Sequence, residues 1–273
     1  MEVRFWGVRG SIAVSGEQYL GTGGNTSCVE ITHEGHRLIL DGGTGLRGLG
    51  QALGYGPVQA TILFSHVHWD HIQGVPFFTP AYCPDAKLTI AGAARDSGNI
   101  RDALARQMTP PTFPVTLDVM GAQMNFQTLQ HGKPWEDGPF RITPIDMNHP
   151  DGVFAYRVEA GGRSLVYATD VEHGASGLDK GLLKMSEGVD LLIHDAQYTE
   201  PEYRGEVGGS KVGWGHSTWN EAVEVACAAN AKQVALFHHD PNRIDTAVDA
   251  IEGAARWRHR GAFAAREGMP VRL

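Results

Sequence analysis

Four metal-ligand side chains crowded into six residues constrain this chain more than anything else in it. His66, His68, Asp70 and His71 follow the pattern His-x-His-x-Asp-His. The residues just before them, Ala60-Thr61-Ile62-Leu63-Phe64, are apolar and partly β-branched, the composition of a short buried strand. The ligands are therefore expected at a strand's C-terminal end and on the loop leaving it, the edge of an α/β sheet where ligands bind. A loop can turn successive side chains toward one point. A regular strand cannot, because its side chains alternate between faces. Imidazole and carboxylate suit zinc, and also iron or manganese. A single tetrahedral ion does not need four ligands from one loop and more from elsewhere. The density thus points to two ions, His66 and His68 on one, Asp70 and His71 on the other. The competing reading is a surface histidine cluster, and the position directly after a buried strand argues against it.

The rest of the chain bounds the possibilities. Of its 273 residues 42% are apolar and 20% charged, enough for a sizeable core. No linker, charge block, low-complexity tract or strict repeat divides it, so one domain over residues 1–273 is expected. The net charge of −8 argues against wrapping long nucleic acid. It leaves room for a small anionic substrate, because two dications would dominate the local field. Cys28, Cys83 and Cys227 lack any Cys-x-x-Cys spacing and read as buried free thiols in a reducing compartment. Met1–Trp6 lacks the basic and apolar regions of a signal peptide, and no apolar run approaches membrane-spanning length. A cytoplasmic location with no membrane partner is the expectation.

Along the chain, strands are expected at Val3–Val8, Ser27–Thr32, His36–Leu40, Lys87–Ala91, Arg141–Asp146, Gly188–Ile193 and Gln233–Phe237. Val153–Glu159 and Ser164–Tyr167 read as a hairpin about Gly161-Gly162. Helices are expected at Leu46–Leu53, from Ile72 toward Phe78, at Ser97–Met108, after a capping box Thr218–Glu221, and at Asp245–Arg258. The turn Gly21–Thr26 lacks the Lys and following helix of a phosphate loop and reads as a tight connection near the site. Asp41 closes a strand, either as support for a metal site or as a turn aspartate. Pro110, Pro111 and Pro114 make residues 109–114 a stiff extended segment, a lid, a subunit contact or a surface loop. Arg256, Arg258 and Arg260 read as a solvated helix face. Several strands end in a His or Asp: His149, Asp170, His194-Asp195 and His238-His239. That recurrence points to one shared site.

These residues resemble the metallo-β-lactamase fold through His66-x-His68-x-Asp70-His71, His149, Asp170 and His238 over nearly the whole chain. The resemblance implies an α/β (α+β) chain built as a four-layer αββα sandwich, with the site at one edge between two sheets. It also implies two divalent metal ions, zinc first, with manganese or iron as alternatives. His66, His68 and His149 would hold one, Asp70, His71 and His238 the other, and Asp170 would bridge them. His239 rivals His238, and the residues that follow the family's last ligand favour His238.

His194-Asp195-Ala196 and Gly215-His216-Ser217-Thr218 resemble the phosphodiesterase branch that includes ribonuclease Z and the cyclic-phosphate phosphodiesterases. So do Phe5–Ser11 and Gly23–Ser27. This resemblance implies a dinuclear hydrolase of small phosphodiesters, such as a cyclic nucleotide or cyclic sugar phosphate, acting through a metal-bridging hydroxide. His216 would contact the scissile phosphate, Asp195 would orient it, and His194 would support the loop. Asp70 serves both the metal and the chemistry. The chain lacks the Gly/Pro-rich arm with which ribonuclease Z grips transfer RNA. An RNA-end phosphodiesterase is one alternative, and a carbonyl hydrolase of thioesters, lactones or β-lactams is another. Relatives are often dimers, so a homodimer is an expectation of the resemblance.

Overall fold

The computed structural model describes residues 1–96, 98–175 and 177–273. Its strands form two seven-stranded sheets. The first contains β1 (Glu2–Gly7), β2 (Cys28–His33), β3 (His36–Leu40), β4 (Gln59–Leu63), β5 (Lys87–Ala93) and β6 (Gln123–Leu129). The second contains β7 (Trp135–Asp137), β8 (Phe140–Met147), β9 (Val153–Ala160), β10 (Arg163–Ala168), β11 (Leu191–Asp195), β12 (Val234–Phe237) and β13 (Ala262–Ala264). The C-terminal β14 (Pro270–Arg272) returns to the edge of the first sheet beside β1. Each sheet is antiparallel at one end and parallel along β3-β4-β5-β6 or β10-β11-β12-β13.

Period-two alternation assigns the layers. On β1 to β3 the residues Val3, Phe5, Val29, Ile31, Leu38 and Leu40 pack against Tyr156, Leu165, Tyr167, Ile193 and Phe237 of the second sheet. The other face of the first sheet, with Ile39, Ile62 and Ile90, meets α1 (Gly45–Leu53) and the helix at Ile100–Gln107. The other face of the second sheet, with Val166, Leu192 and Leu236, meets the helices at Lys180–Met185, Trp219–Ala228 and Asp245–Arg258. The layers run helix, sheet, sheet, helix. The hairpin β9–β10 turns on two glycines at φ +56° and +71°, the left-handed pair that a two-residue turn between twisted strands requires.

Several expectations need correction. Asp70 and His71 do not lie on a loop: they occupy a one-turn helix, α2 (Trp69–Ile72). The helix expected from Ile72 is two 3₁₀ turns, Val75–Phe77 and Thr79–Tyr82, because Pro76 and Pro80 allow a helical start but no continuation. The helix expected from Ser97 is α3 (Ile100–Gln107), whose start is fixed by a capping box between Asn99 and Asp102; Ser97 lies outside the described residues. Residues 109–114 are not extended. They close a turn in which the Phe113 N–H and the Thr112 hydroxyl both donate to the Thr109 carbonyl, at 3.0 and 2.8 Å.

Strands β6, β7, β13 and β14 and the helices α4 (Lys180–Met185) and α5 (Glu200–Arg204) were not foreseen, being short or of weak pattern. The capping box at Thr218 opens α6 (Trp219–Ala228), and α7 (Asp245–Arg258) has its expected bounds. Cys28 and Cys83 are buried, but Cys227 is exposed, on the outer face of α6. Among the described residues no helix is long and apolar enough to cross a membrane.

Phe5 carries the contact between the sheets: it is fully buried, with ring centroids 6.1 Å from Phe237 and 6.4 Å from Phe263. Phe5→Ala should cost about 3–5 kcal/mol in chemical denaturation. A loss below about 1 kcal/mol would show that the two sheets close over the cavity, and that Phe5 is not the inter-sheet anchor.

Candidate metal centre

The parallel strands of both sheets end at the same edge, and their C-terminal residues converge there. β4 delivers Ser65, His66 and His68, and α2 immediately after it delivers Asp70 and His71. β8 is followed by His149, β10 by Asp170, and β12 by His238, while Asp195 is the last residue of β11. His216 comes from the loop before α6. Ligand atoms of His66, His68, His149 and Asp170 lie within 4.8 Å of one another, as do those of Asp70, His71, Asp170 and His238. Asp170 belongs to both groups. A third group adds Asp195 and His216 to Asp170 and His238.

The hydrogen bonds on the outer side of each imidazole fix what faces inward. His149 Nδ1–H donates to the Gly215 carbonyl at 2.8 Å, and His71 Nδ1–H donates to Asp41 Oδ2 at 2.8 Å. The Gln197 amide nitrogen donates to Ser11 Oγ and the Tyr198 hydroxyl, leaving Oε1 to accept from His238 Nδ1–H at 2.8 Å. Ser65 donates its hydroxyl to Asp41 Oδ2, so it accepts from His66 Nδ1–H at 3.0 Å. In all four rings the proton sits on Nδ1 and the Nε2 lone pair points into the cluster.

The His71 and His238 lone pairs face each other, with Nε2 to Nε2 at 3.3 Å, and His149 Nε2 is 3.0 Å from His68 Nδ1. Asp170 Oδ1 lies 3.1 Å from His71 Nε2 and 3.2 Å from His238 Nε2. Among the described residues, His66 Nε2 is buried without any hydrogen-bond partner. Acceptors packed against acceptors in a buried site could hold a cation, and imidazole and carboxylate are donors that suit a divalent metal. The outer hydrogen bonds are the kind that orient metal-binding histidines.

The electrostatics agree with this geometry. Burial raises the Asp70 and Asp170 carboxyls, but the adjacent histidines outweigh it and hold both well below the usual carboxylate range. Burial pushes His66 down, with the neighbouring His71 adding to the effect, which keeps its ring neutral. His71, set among Asp170, Asp70 and Asp41, is instead raised despite its burial.

The His238-His239 doublet separates cleanly. His238 Nε2 is 3.2 Å from both Asp70 Oδ2 and Asp170 Oδ1. His239 turns the other way and bonds the Ala265 carbonyl at 3.1 Å, its pKa lowered to about 3 by burial and then by Arg9. Asp41 is more than a turn residue. Its carboxylate accepts from Ser65 N–H, Ser65 Oγ–H, Tyr167 O–H and His71 Nδ1–H at 2.7–2.8 Å.

Asp195 accepts from His216 Nδ1–H at 2.9 Å and from the backbone N–H of Asp170, Gln197 and Ser217 at 3.1 Å. Burial pushes the His216 imidazole down, but Asp195 outweighs it and lifts it to about 9. His194 faces away from the centre and donates from Nδ1 to the Asp195 carbonyl.

Three contributors escaped the sequence reading. Gln197 orients His238. Ser11 N–H donates to Asp70 Oδ2 at 2.7 Å. Glu172 accepts from Gly213 N–H, Gly215 N–H and the Tyr203 hydroxyl, tying down the loop that carries His216. Glu172, two residues after Asp170, could have been found as a carboxylate beside a strand end; Gln197 and Ser11 carry no such signal.

Two outcomes follow. His238→Ala should lower bound metal per chain in elemental analysis, whereas His239→Ala should keep the metal and lose thermal stability; the reverse result would move the ligand by one position. Asp41→Asn places an amide N–H₂ among four donors. It should weaken metal binding by about 10–100-fold in a chelator competition. Unchanged affinity would mean that the Asp41 bond does not hold His71 in place.

Residues 36–239, most of the chain, match the model of the beta-lactamase superfamily domain. The chain is 23% identical to ribonuclease Z of Haloarcula marismortui, over all of its own length and 97% of that protein's. Its fold is that of the metallo-β-lactamase fold protein YhfI from Bacillus subtilis, with a TM-score of 0.74 at 20% identity, covering 99% of this chain and 98% of the other. A diphosphatase of the PhnP family superposes with a TM-score of 0.69 at 18% identity, over 99% and 96% of the two chains. The chain belongs to the beta-lactamase superfamily, as a hydrolase of the metallo-β-lactamase fold.

Proposed function

We propose that this chain, a single domain, is a dinuclear metal-dependent phosphodiesterase acting on small phosphodiesters. His66, His68 and His149 would hold one ion, Asp70, His71 and His238 the other, with Asp170 between them. Zinc is the first choice for this donor set, ahead of manganese or iron. Bound there, such ions supply Lewis acidity toward phosphate oxygens and an activated water.

The observation that carries the phosphodiester reading is the pair His216–Asp195. Asp195 occupies His216 Nδ1 at 2.9 Å and is itself fixed by three backbone N–H groups. That leaves His216 Nε2–H as a donor beside the metal ligands, since the ring stacks on His238 at 5.1 Å and lies edge-on to His149 at 5.4 Å. Its charge, sustained by Asp195, suits a phosphate oxygen gaining negative charge, and its proton suits a departing alkoxide. Asp195 acts through His216 and is a positioning residue. Similarity to ribonuclease Z and to a diphosphatase points to phosphate ester chemistry. The net charge of −8 favours a small substrate over a long nucleic acid. The ribonuclease Z similarity keeps an RNA end as the second reading.

The test is hydrolysis of bis(p-nitrophenyl) phosphate by zinc- or manganese-reconstituted protein, with a thioester and a lactone alongside. His216→Ala should keep its metal and lose about 10²–10³ in kcat. Turnover of the carbonyl substrates alone, or near-normal phosphodiester turnover in His216→Ala, would overturn the reading.

A further inference from the structure

The two groups of ligands are not built alike. In the group of Asp70, His71, Asp170 and His238 every residue is buried. The three that belong to it alone are each held from outside. Asp70 accepts from Ser11 N–H at 2.7 Å, His71 donates to Asp41 at 2.8 Å, and His238 donates to Gln197 at 2.8 Å. The backbone closes over this group as well. A Cβ at Gly10 would stand 2.5 Å from His238 Nδ1 and Cε1, so only glycine lets the turn lie against that ring.

The group of His66, His68, His149 and Asp170 has one loose member. His68 brings Nδ1 to 3.0 Å from His149 Nε2 and turns its Nε2 outward. Its side chain is 40% exposed, against 4% for His66 and 1% for His149. Among the described residues, His68 Nε2 has no hydrogen bond. The carboxylate of Asp151, itself exposed, lies 4.0 Å away, beyond hydrogen-bonding reach. A cavity of about 280 Å³ adjoins this side. His66, His68 and Asp151 line it, and none of Asp70, His71, Asp170 and His238 does. Arg95, which also lines it, is paired with Asp146 at 2.5 Å.

Three differences act in one direction. The first group offers a dication two carboxylates and the second only one, the Asp170 that they share, and ligand charge raises affinity for a divalent ion. An imidazole with no outer partner has to be ordered when it binds, and the absence of such a partner costs about 10–100-fold in affinity. An ion enclosed under the Gly10 turn leaves only when the structure opens, whereas one beside the cavity faces a path to water.

We propose that the two ion positions are unequal. The one made by Asp70, His71, Asp170 and His238 fills first and keeps its ion, and the one completed by His66, His68 and His149 exchanges with the surroundings through the cavity. The inference rests on the dinuclear reading above and adds an order of filling to it. Turnover then rises with the second ion, so the free metal concentration sets the activity.

The test adds zinc to the metal-free full chain. At one equivalent, anomalous scattering from a crystal should place the ion among Asp70, His71 and His238. In native mass spectrometry against a competing chelator, the second ion should bind at least about tenfold more weakly than the first. His68→Ala, at a half-exposed side chain, should stop at one ion with the affinity of the first unchanged, whereas Asp70→Ala should weaken the first. A peak among His66, His68 and His149 at one equivalent, equal peaks at both positions, or a weakened first ion in His68→Ala would overturn the order of filling and leave the dinuclear reading standing. A native chain that never takes up more than one ion at saturating zinc would sink the dinuclear reading, and the order of filling with it.

Discussion

The arrangement depends on a carboxylate that touches no substrate. Asp41, fully buried at the end of β3, accepts four hydrogen bonds and so satisfies its charge without water. The donors come from three places. Ser65 begins the ligand loop, His71 sits on α2, and Tyr167 belongs to the opposite sheet. One residue thus sets the register between the sheets and aims an imidazole into the cluster. Burying an ion is expensive unless it is paired or hydrogen-bonded. Here one donor meets Oδ1 and three meet Oδ2, and the penalty for disturbing any of them makes the geometry specific.

The strand ends share a second constraint. A parallel strand alternates its side chains, so a ligand at its end must leave the strand's conformation to aim across the edge. Asp41, Asp170 and His238 all adopt positive φ, at +60°, +53° and +59°. Ser11 at +64° presents its N–H to Asp70, and Asp151 at +61° lies beside His68. Of the seven non-glycine residues with positive φ among those described, these five border the centre. Conformations that cost about 1–3 kcal/mol each are concentrated where function needs the direction they provide.

What the sequence made legible follows from range. The ligand run after Ala60–Phe64, the β9–β10 hairpin, the capping box of α6 and the span of α7 depend on neighbours a few residues away, and they were readable as written. The one-turn helix α2 was missed because four residues are too few to show a period. The edge strand β7 and the late strands β13 and β14 are three residues each, too short to show an alternation, and β14 is held by β1 at the other end of the chain. Cys227 was misread because an apolar composition does not say which side of a helix faces the sheet. The choice between His238 and His239 turns on one left-handed residue that reverses the alternation after β12, which no local pattern announces.

The cluster would also tie folding to a cation held there. Nitrogens of His66, His71, His149 and His238 converge with the carboxylates of Asp70 and Asp170, all of them buried. Burial pushes His71 down, but Asp170, Asp70 and Asp41 around it outweigh that and raise it. A divalent ion bound to the native arrangement and not to the unfolded chain stabilises the fold by mass action. The hydrogen bonds to Asp41, Gln197, Ser65 and Gly215 hold the outer nitrogens of these rings, so that the inner ones face the cluster. Positioning and stability at this edge are a single problem, solved by fixing the outer nitrogen of each imidazole and leaving the inner one free.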